Sequence, residues 1–412
     1  MKEKIRKSKV KIIALLLCFC ILPWSASCKK EEEKKKVADF GSYGADFALK
    51  LAQEFPYRSA FSAGESGAGV MIRNELENIG YKVETQTFAS STGKTSENYI
   101  VRLNGEGFMQ RDSSGEYSKV KKTVVIGAHY DSPISYEQRF IYPNYDGIQN
   151  NACGIGALMT LAKQMYGHTY GYDVVIVAFG ASSSSYMGAK YFLENLSEED
   201  RKRIECMYCI ESIYAGDKLY AHAGISSLKD GKKYSFRRKL YEAYDVAYEN
   251  SVYSQTGVDL NYNMSLLSFD VDGDTKADMY REVTTVQSDF VPFDKASIPI
   301  VFFESSDYNF STMAEMKETK NLALQDNNGV IRGTGLDSST MLKEALDPDR
   351  LQVRINVVAF ILEKAVDKGS QNCVTISRYE AGETLEPTKQ PKKKASQTTT
   401  TAEITADKKY TA

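Results

Sequence analysis

The sequence predicts an α/β fold, with a predominantly parallel central sheet covered by helices on both faces. Three observations predict it. Short continuous apolar runs, such as Thr123 to Ala128 and Asp173 to Phe179, alternate with longer segments of helical periodicity, and a strand apolar on both sides is buried on both sides. The strands are separated by helices, the connection that parallel neighbours require. At 412 residues, 42% hydrophobic and 26% charged, the chain can bury one large core.

The elements follow in order. A helix is predicted over Tyr43 to Phe55 and another over Gly67 to Ile79, where Val70, Ile72, Leu76 and Ile79 are apolar and Gly80 supplies the stop. Strands follow at Lys82 to Phe88, Asn98 to Leu103 and Thr123 to Ala128. Next come a helix over Gly154 to Met165, a strand at Asp173 to Phe179, a helix over Met187 to Leu196 and a strand at Cys206 to Ile213. A helix near Tyr234 to Glu249, a strand at Ile298 to Phe303 and a closing helix over Leu351 to Ala365 complete the domain, and there is no internal repeat. In such a sheet the pocket lies beyond the carboxyl ends of the strands, where His129, Ser182 and Glu211 fall.

The ends read differently from the middle. Lys2 to Lys11 is basic, Ile12 to Trp24 is apolar, and Ser25-Ala26-Ser27-Cys28 follows, the layout of a secretory signal. The small residues before Cys28 resemble a bacterial lipobox, with Ser25 where leucine is usual. Residues 1–28 are therefore expected to be a lipoprotein signal that leaves a lipid on Cys28, with a cleaved signal or an uncleaved anchor as alternatives. The expected location is the bacterial cell envelope, periplasmic or surface-exposed, with the membrane as partner through that lipid. Residues 29–39 form a charged tether and 40–370 the domain. Residues 371–412 form a C-terminal extension, low in complexity and disordered from about 388. A formal net charge of −2 makes no electrostatic case for nucleic acid.

Four motifs carry the chemistry: GAHYDS from Gly127, GIQNNACG from Gly147, FGASSSSYMG from Phe179 and SDFVPF from Ser288. In order and spacing they resemble the M28 family of co-catalytic zinc aminopeptidases, over about residues 40 to 365. The resemblance implies a three-layer zinc-aminopeptidase-like fold and aligns His129 with the first zinc-ligand histidine and Asp131 with the carboxylate that orients it. Asn150 takes the place of the bridging Asp, Ser182 that of the general-base Glu, Ser183 that of a second zinc-binding Glu, and Phe290 that of the last histidine. Glu211 stands for a ligand Asp. An amide is a poor ligand for a divalent ion, a serine hydroxyl has no basic form near neutral pH, and phenylalanine has no donor atom. A catalytic zinc needs about three protein ligands and an open position, so zinc is not expected and the chain reads as a pseudoenzyme. The related glutaminyl cyclases use the bridging-Asp, metal-Glu and final-His positions, all replaced here.

A second metal expectation comes from DVDGDTKAD. Asp270, Asp272, Asp274 and Asp278, with the Lys276 carbonyl, have the spacing of a short calcium loop, although Thr275 departs from the usual glycine; a solvated acidic hairpin turn is the alternative. Tyr130, Tyr136, Tyr142 and Tyr145 suggest an aromatic loop over the cleft, or one that packs on itself. His168 and His222 are expected in loops or packing. Cys206 and Cys209 should point to opposite faces of one strand, and Cys153 is expected as a small buried residue rather than a nucleophile. Cys373 has the option of a disulfide after export. Four consecutive serines, Ser182 to Ser185, lack the elbow and histidine of a serine hydrolase.

Three functions follow as expectations: a membrane-anchored, catalytically inactive lipoprotein that binds peptide or protein in a degenerate cleft; a hydrolase with a single-metal site rebuilt from His129, Glu211 and either Asp146 or Asp289; or a structural calcium-binding envelope lipoprotein whose cleft is filled by side chains such as Phe290.

Overall fold

The computed structural model describes residues 37–229, 232–264, 268–269, 275, 278–279, 281–310 and 315–385. Cys28, the chain from 386 onward, and Asp270, Asp272, Asp274 and Lys276 lie outside the described residues, and the lipid-anchor and calcium expectations lie there with them.

The strands in chain order are β1 (Glu84–Ala89), β2 (Thr95–Leu103), β3 (Phe108–Arg111), β4 (Tyr117–Val120), β5 (Thr123–His129), β6 (Asp173–Phe179), β7 (Ile204–Ile210), β8 (Lys218–His222), β9 (Leu260–Asn261), β10 (Ser268–Phe269), β11 (Asp278–Met279), β12 (Ile300–Ser306) and β13 (Cys373–Thr375). The helices are α1 (Tyr43–Glu54), α2 (Ala63–Ile79), α3 (Cys153–Met165), α4 (Met187–Glu194), α5 (Glu198–Arg203), α6 (Lys233–Glu249), α7 (Val252–Thr256), α8 (Val291–Lys295), α9 (Ser339–Ala345), α10 (Arg350–Asp367) and α11 (Ile376–Glu380).

The main sheet runs β1-β2-β6-β5-β7-β12-β8-β9. Its centre, β6-β5-β7-β12, is parallel throughout, as the apolar runs predict. The flanks β2 and β8 pair antiparallel to it. Alternation along the central strands splits the core. Val124, Ile126 and Ala128 belong to one core with Leu158 of α3 and Ile355 of α10, while Val125, Met207 and Phe302 belong to the other with Phe192 of α4 and Phe293 of α8. Helices on both faces make three layers. Cys206 and Cys209 fall on opposite faces, as their odd spacing requires. α1 crosses α3 so closely that a Cβ on Gly44 would lie 2.1 Å from Thr160 Oγ1.

Some boundaries differ from expectation for local reasons. α2 begins at Ala63 rather than Gly67, because Ser62 caps it by accepting a hydrogen bond from Glu65 N at 3.1 Å. It ends where expected, at Gly80 with φ 116°. β7 stops at Ile210 rather than Ile213, because Ser212 turns the chain at φ 53° and donates its N–H to Asn151 Oδ1 at 3.0 Å. β8 was not expected, nor was the small sheet β13-β3-β4, in which residues 373–375 pair with β3. Asp278 of the acidic loop stands in β11, opposite Phe269 of β10.

Candidate functional site

His129 ends β5 and Glu211 directly follows β7, so two neighbouring parallel strands deliver both residues to the same carboxyl edge. Both are buried, at 5% exposure each. His129 Nδ1 lies 3.0 Å from the backbone oxygen of Asp131 and 3.4 Å from its carboxylate, while Nε2 faces Glu211 Oε2 at 3.7 Å. Burial works against a charged ring, but Asp131 and Glu211 outweigh it and hold the His129 pKa well above the usual histidine value. Burial would likewise raise both carboxylates, yet the imidazolium beside them holds Asp131 and Glu211 below the usual range.

Asp131 does more than orient the histidine. Its Oδ1 accepts from Ser182 N at 2.9 Å, and its Oδ2 accepts from Ser183 N at 2.9 Å and from Ser183 Oγ at 2.6 Å. The loop after β6, with positive φ at Ala181, Ser185 and Tyr186, is thus fastened to Asp131, and the Ser183 hydroxyl is turned onto it. Glu65 of α2, which the motifs did not single out, holds the loop from the other side by accepting from Ala181 N at 2.7 Å, and also accepts from Ser96 Oγ of β2 at 2.8 Å. Asn150 donates its N–H to Asp337 Oδ2 at 3.1 Å and leaves Oδ1 buried without a partner.

Of the two alternative carboxylates, the structure brings one in. Asp289 is fully buried beside His129, Asp131 and Glu211; burial pushes its carboxyl up to about 7, and neither oxygen has a hydrogen-bond partner. Asp146 accepts instead from Ile148 N at 3.1 Å and from Ser339 N at 2.9 Å, at the start of α9, so it is committed to loop structure. Phe290 corrects another expectation. Its ring packs on Phe302, 4.9 Å between centroids, inside the α4–α8 side of the core, because an apolar ring has more to gain there than in a polar cleft.

One residue entirely missed in the sequence completes the site. Arg332, 16% exposed, places Nη2 3.0 Å from Glu304, Nε 3.2 Å from Glu318 and Nη1 3.7 Å from Glu211. Burial opposes its charge, and the Glu318, Glu304 and Glu211 carboxylates outweigh that and hold it protonated. Glu304 also accepts from Tyr308 Oη at 2.6 Å and Thr284 Oγ1 at 2.9 Å, and stands 3.2 Å from His222 Nε2. His222 packs in the core, stacked on Tyr220, and is at the same time a polar neighbour of Glu304. Cys153 is inert for a different reason: burial pushes its thiol up to about 12. Among the described residues Cys153, Cys206, Cys209 and Cys373 form no disulfide.

The donor set does not fit a zinc ion. Ser183 is spent on Asp131, Phe290 on the core, and the Asn150 amide carries no charge to offset a divalent ion. Glu211 already lies between an imidazolium and a guanidinium. Among the described residues no three His, Cys, Asp or Glu side chains are grouped to hold an ion.

The segment between Asp131 and Asp146 forms the rim. Tyr130 and Tyr145 are core residues, each 1% exposed, whereas Tyr136 is 58%, Phe140 81% and Ile141 69% exposed. The Arg139 guanidinium covers both Tyr136 and Phe140, at 4.0 and 4.2 Å. Tyr57 supports the loop by donating to Tyr142 O at 2.7 Å, and buried Arg58 donates to the carbonyls of Tyr130, Asp146 and Gly147.

A family model described as peptidase family M28 matches residues 112–320. The alkaline phosphatase isozyme conversion protein of Escherichia coli K12 is 23% identical over 305 residues, covering 72% of this chain and 79% of that protein. Among solved structures, a zinc aminopeptidase from Bacillus subtilis superposes with a TM-score of 0.52 at 13% identity, over 80% of this chain and 96% of its own. Porphyromonas gingivalis glutaminyl cyclase gives 0.52 at 17% identity, over 80% and 99%. At these identities the structural likeness shows the fold alone.

Proposed function

The chain belongs to peptidase family M28, and from that premise we propose that it is a member in which zinc-dependent hydrolysis has given way to binding. In this reading it is an envelope protein, lipid-anchored through Cys28, that holds a peptide or protein over the cleft at His129 and Glu211. The observation that carries the reading is the closed arrangement of those two residues. They face each other at 3.7 Å, and each has a second charged partner, Asp131 on one side and Arg332 on the other. Position 182 offers a hydroxyl where a base is needed, and general base catalysis is worth ~10²–10⁴-fold. The exposed Phe140, Ile141 and Tyr136 on the rim support a binding role, because aromatic anchors dominate contact energies.

A second reading, a hydrolase with a rebuilt single-metal site, is favoured by one observation: the unpartnered Asp289 carboxylate beside His129 and Glu211. One experiment separates the two. The purified chain is loaded with zinc, desalted and analysed for metal by elemental mass spectrometry, then assayed against a panel of unblocked peptides. Substoichiometric zinc and no cleavage are expected. Near-stoichiometric zinc with cleavage, both lost in His129→Ala, would replace the binding reading with the second.

A further inference from the structure

Resting on that reading, we infer that Arg332 is a built-in counter-cation that takes the electrostatic place of a metal ion in this cleft. Three buried carboxylates, Glu211, Glu304 and Glu318, converge on its guanidinium at 3.7, 3.0 and 3.2 Å, through three different nitrogens. Buried carboxylates packed this closely repel one another and are tolerated only with a cation between them. The arrangement is built rather than accidental. Glu318 holds the arginine at both ends, accepting its backbone N–H at 2.7 Å as well as facing Nε, and also accepts Ile331 N and Gln149 Nε2. Gln149 immediately precedes Asn150, so the arginine cluster is wired to the segment that replaces the bridging ligand. Part of the negative charge in the cleft floor is thereby compensated within the chain, by one guanidinium set among three carboxylates.

The test is a charge-removal double-mutant cycle on the full chain in detergent, read by thermal unfolding in circular dichroism. Arg332→Met is expected to lower Tm by roughly 5–10 °C, as loss of one partner from a buried ionic cluster does. Glu304→Gln lowers Tm in the wild-type background, because it removes a partner of Arg332. In the Arg332→Met background the same substitution raises Tm, because it removes a buried charge left with only His222 beside it, while its amide oxygen still accepts from Tyr308 and Thr284. That change of sign is the signature of a counter-cation. If Glu304→Gln lowers Tm equally in both backgrounds, Arg332 merely packs, and the inference is overturned. Should Arg332→Met fail to fold, recovery of folded protein in the double variant supports the inference. If neither variant folds, the zinc response of the wild type decides. A wild-type Tm unchanged by chelator or added zinc is the expected result, and a zinc-dependent rise abolished by His129→Ala overturns the inference. Zinc-dependent peptide cleavage would defeat the proposed function, whereas a missing sign change without cleavage would defeat the arginine alone.

Discussion

His129 and Glu211 face each other at 3.7 Å across neighbouring parallel strands. The pair is an ionic contact in a buried setting, so each partner depends on the other. Glu211→Gln leaves the imidazolium and Arg332 without the carboxylate they share, and should cost about 3 kcal/mol. Urea denaturation measures this directly. A change within about 0.5 kcal/mol, the range of ordinary surface substitutions, would mean that the contact contributes nothing.

Asp131 carries a separate prediction, because its carboxylate fastens the loop of Ser182 and Ser183 by three hydrogen bonds. Asp131→Ala removes the acceptor from two backbone N–H groups and one hydroxyl. The expected loss is about 2–4 kcal/mol, together with faster proteolytic cleavage between residues 181 and 187. Ser183→Ala, which deletes only the hydroxyl, should cost about 1 kcal/mol. Equal protease resistance in Asp131→Ala and wild type would show the loop to be held by other contacts.

The parallel centre of the fold was legible because β5, β6, β7 and β12 are buried on both faces and therefore read as apolar runs. β8, in Lys-Leu-Tyr-Ala-His, was not, since its only long aliphatic side chain is Leu219 and its strand character comes from pairing with β12. His129 was legible through the glycine-framed GAHYDS motif, and Glu211 through its place at the carboxyl end of the predicted Cys206 to Ile213 strand. Arg332 was not, because a lone arginine between Ile331 and Gly333 gives no local hint of carboxylates more than ten residues away. Glu304 did leave a signal: a charged residue directly after the apolar Ile300 to Phe303 run sits where this sheet presents its functional groups. Glu65 left one too, three residues after Ser62 at a helix start, although its long-range bond to Ala181 is visible only in the fold.

Two glutamates give stability opposite slopes with pH. Burial and the nearby Asp131 carboxylate push Glu65 up to about 8, so the folded state keeps a proton that the unfolded chain has released. Its contribution therefore falls as pH rises from about 4.5 to about 8. Burial would also raise Glu304, but His222 and Arg332 pull it down to about 2. Its contribution is present above about pH 4.5 and is lost as pH falls toward 2. Urea denaturation from pH 3 to 9 should show both limbs. Glu65→Gln removes the titrating group and should abolish the fall between about pH 4.5 and 8, whatever it costs through the Phe61 N–H that its amide nitrogen cannot accept. A variant that keeps the full wild-type slope over that range would assign the slope to another group.

The rim supplies the prediction that bears most directly on binding. Phe140 and Ile141 are 81% and 69% exposed, so replacing them removes almost no buried contact from the folded chain. Phe140→Ser with Ile141→Ser should leave Tm within about 1–2 °C, since exposed substitutions are nearly neutral. Burying two such side chains against a ligand would be worth about 3 kcal/mol, and a peptide that uses even half of that loses about tenfold in affinity. Peptide-library selection on wild type, followed by titration of the selected peptides against the double variant, measures the difference. A tenfold loss with unchanged Tm locates recognition on this loop. Unchanged affinity removes the rim from the binding surface and leaves recognition to the cleft floor around His129 and Glu211.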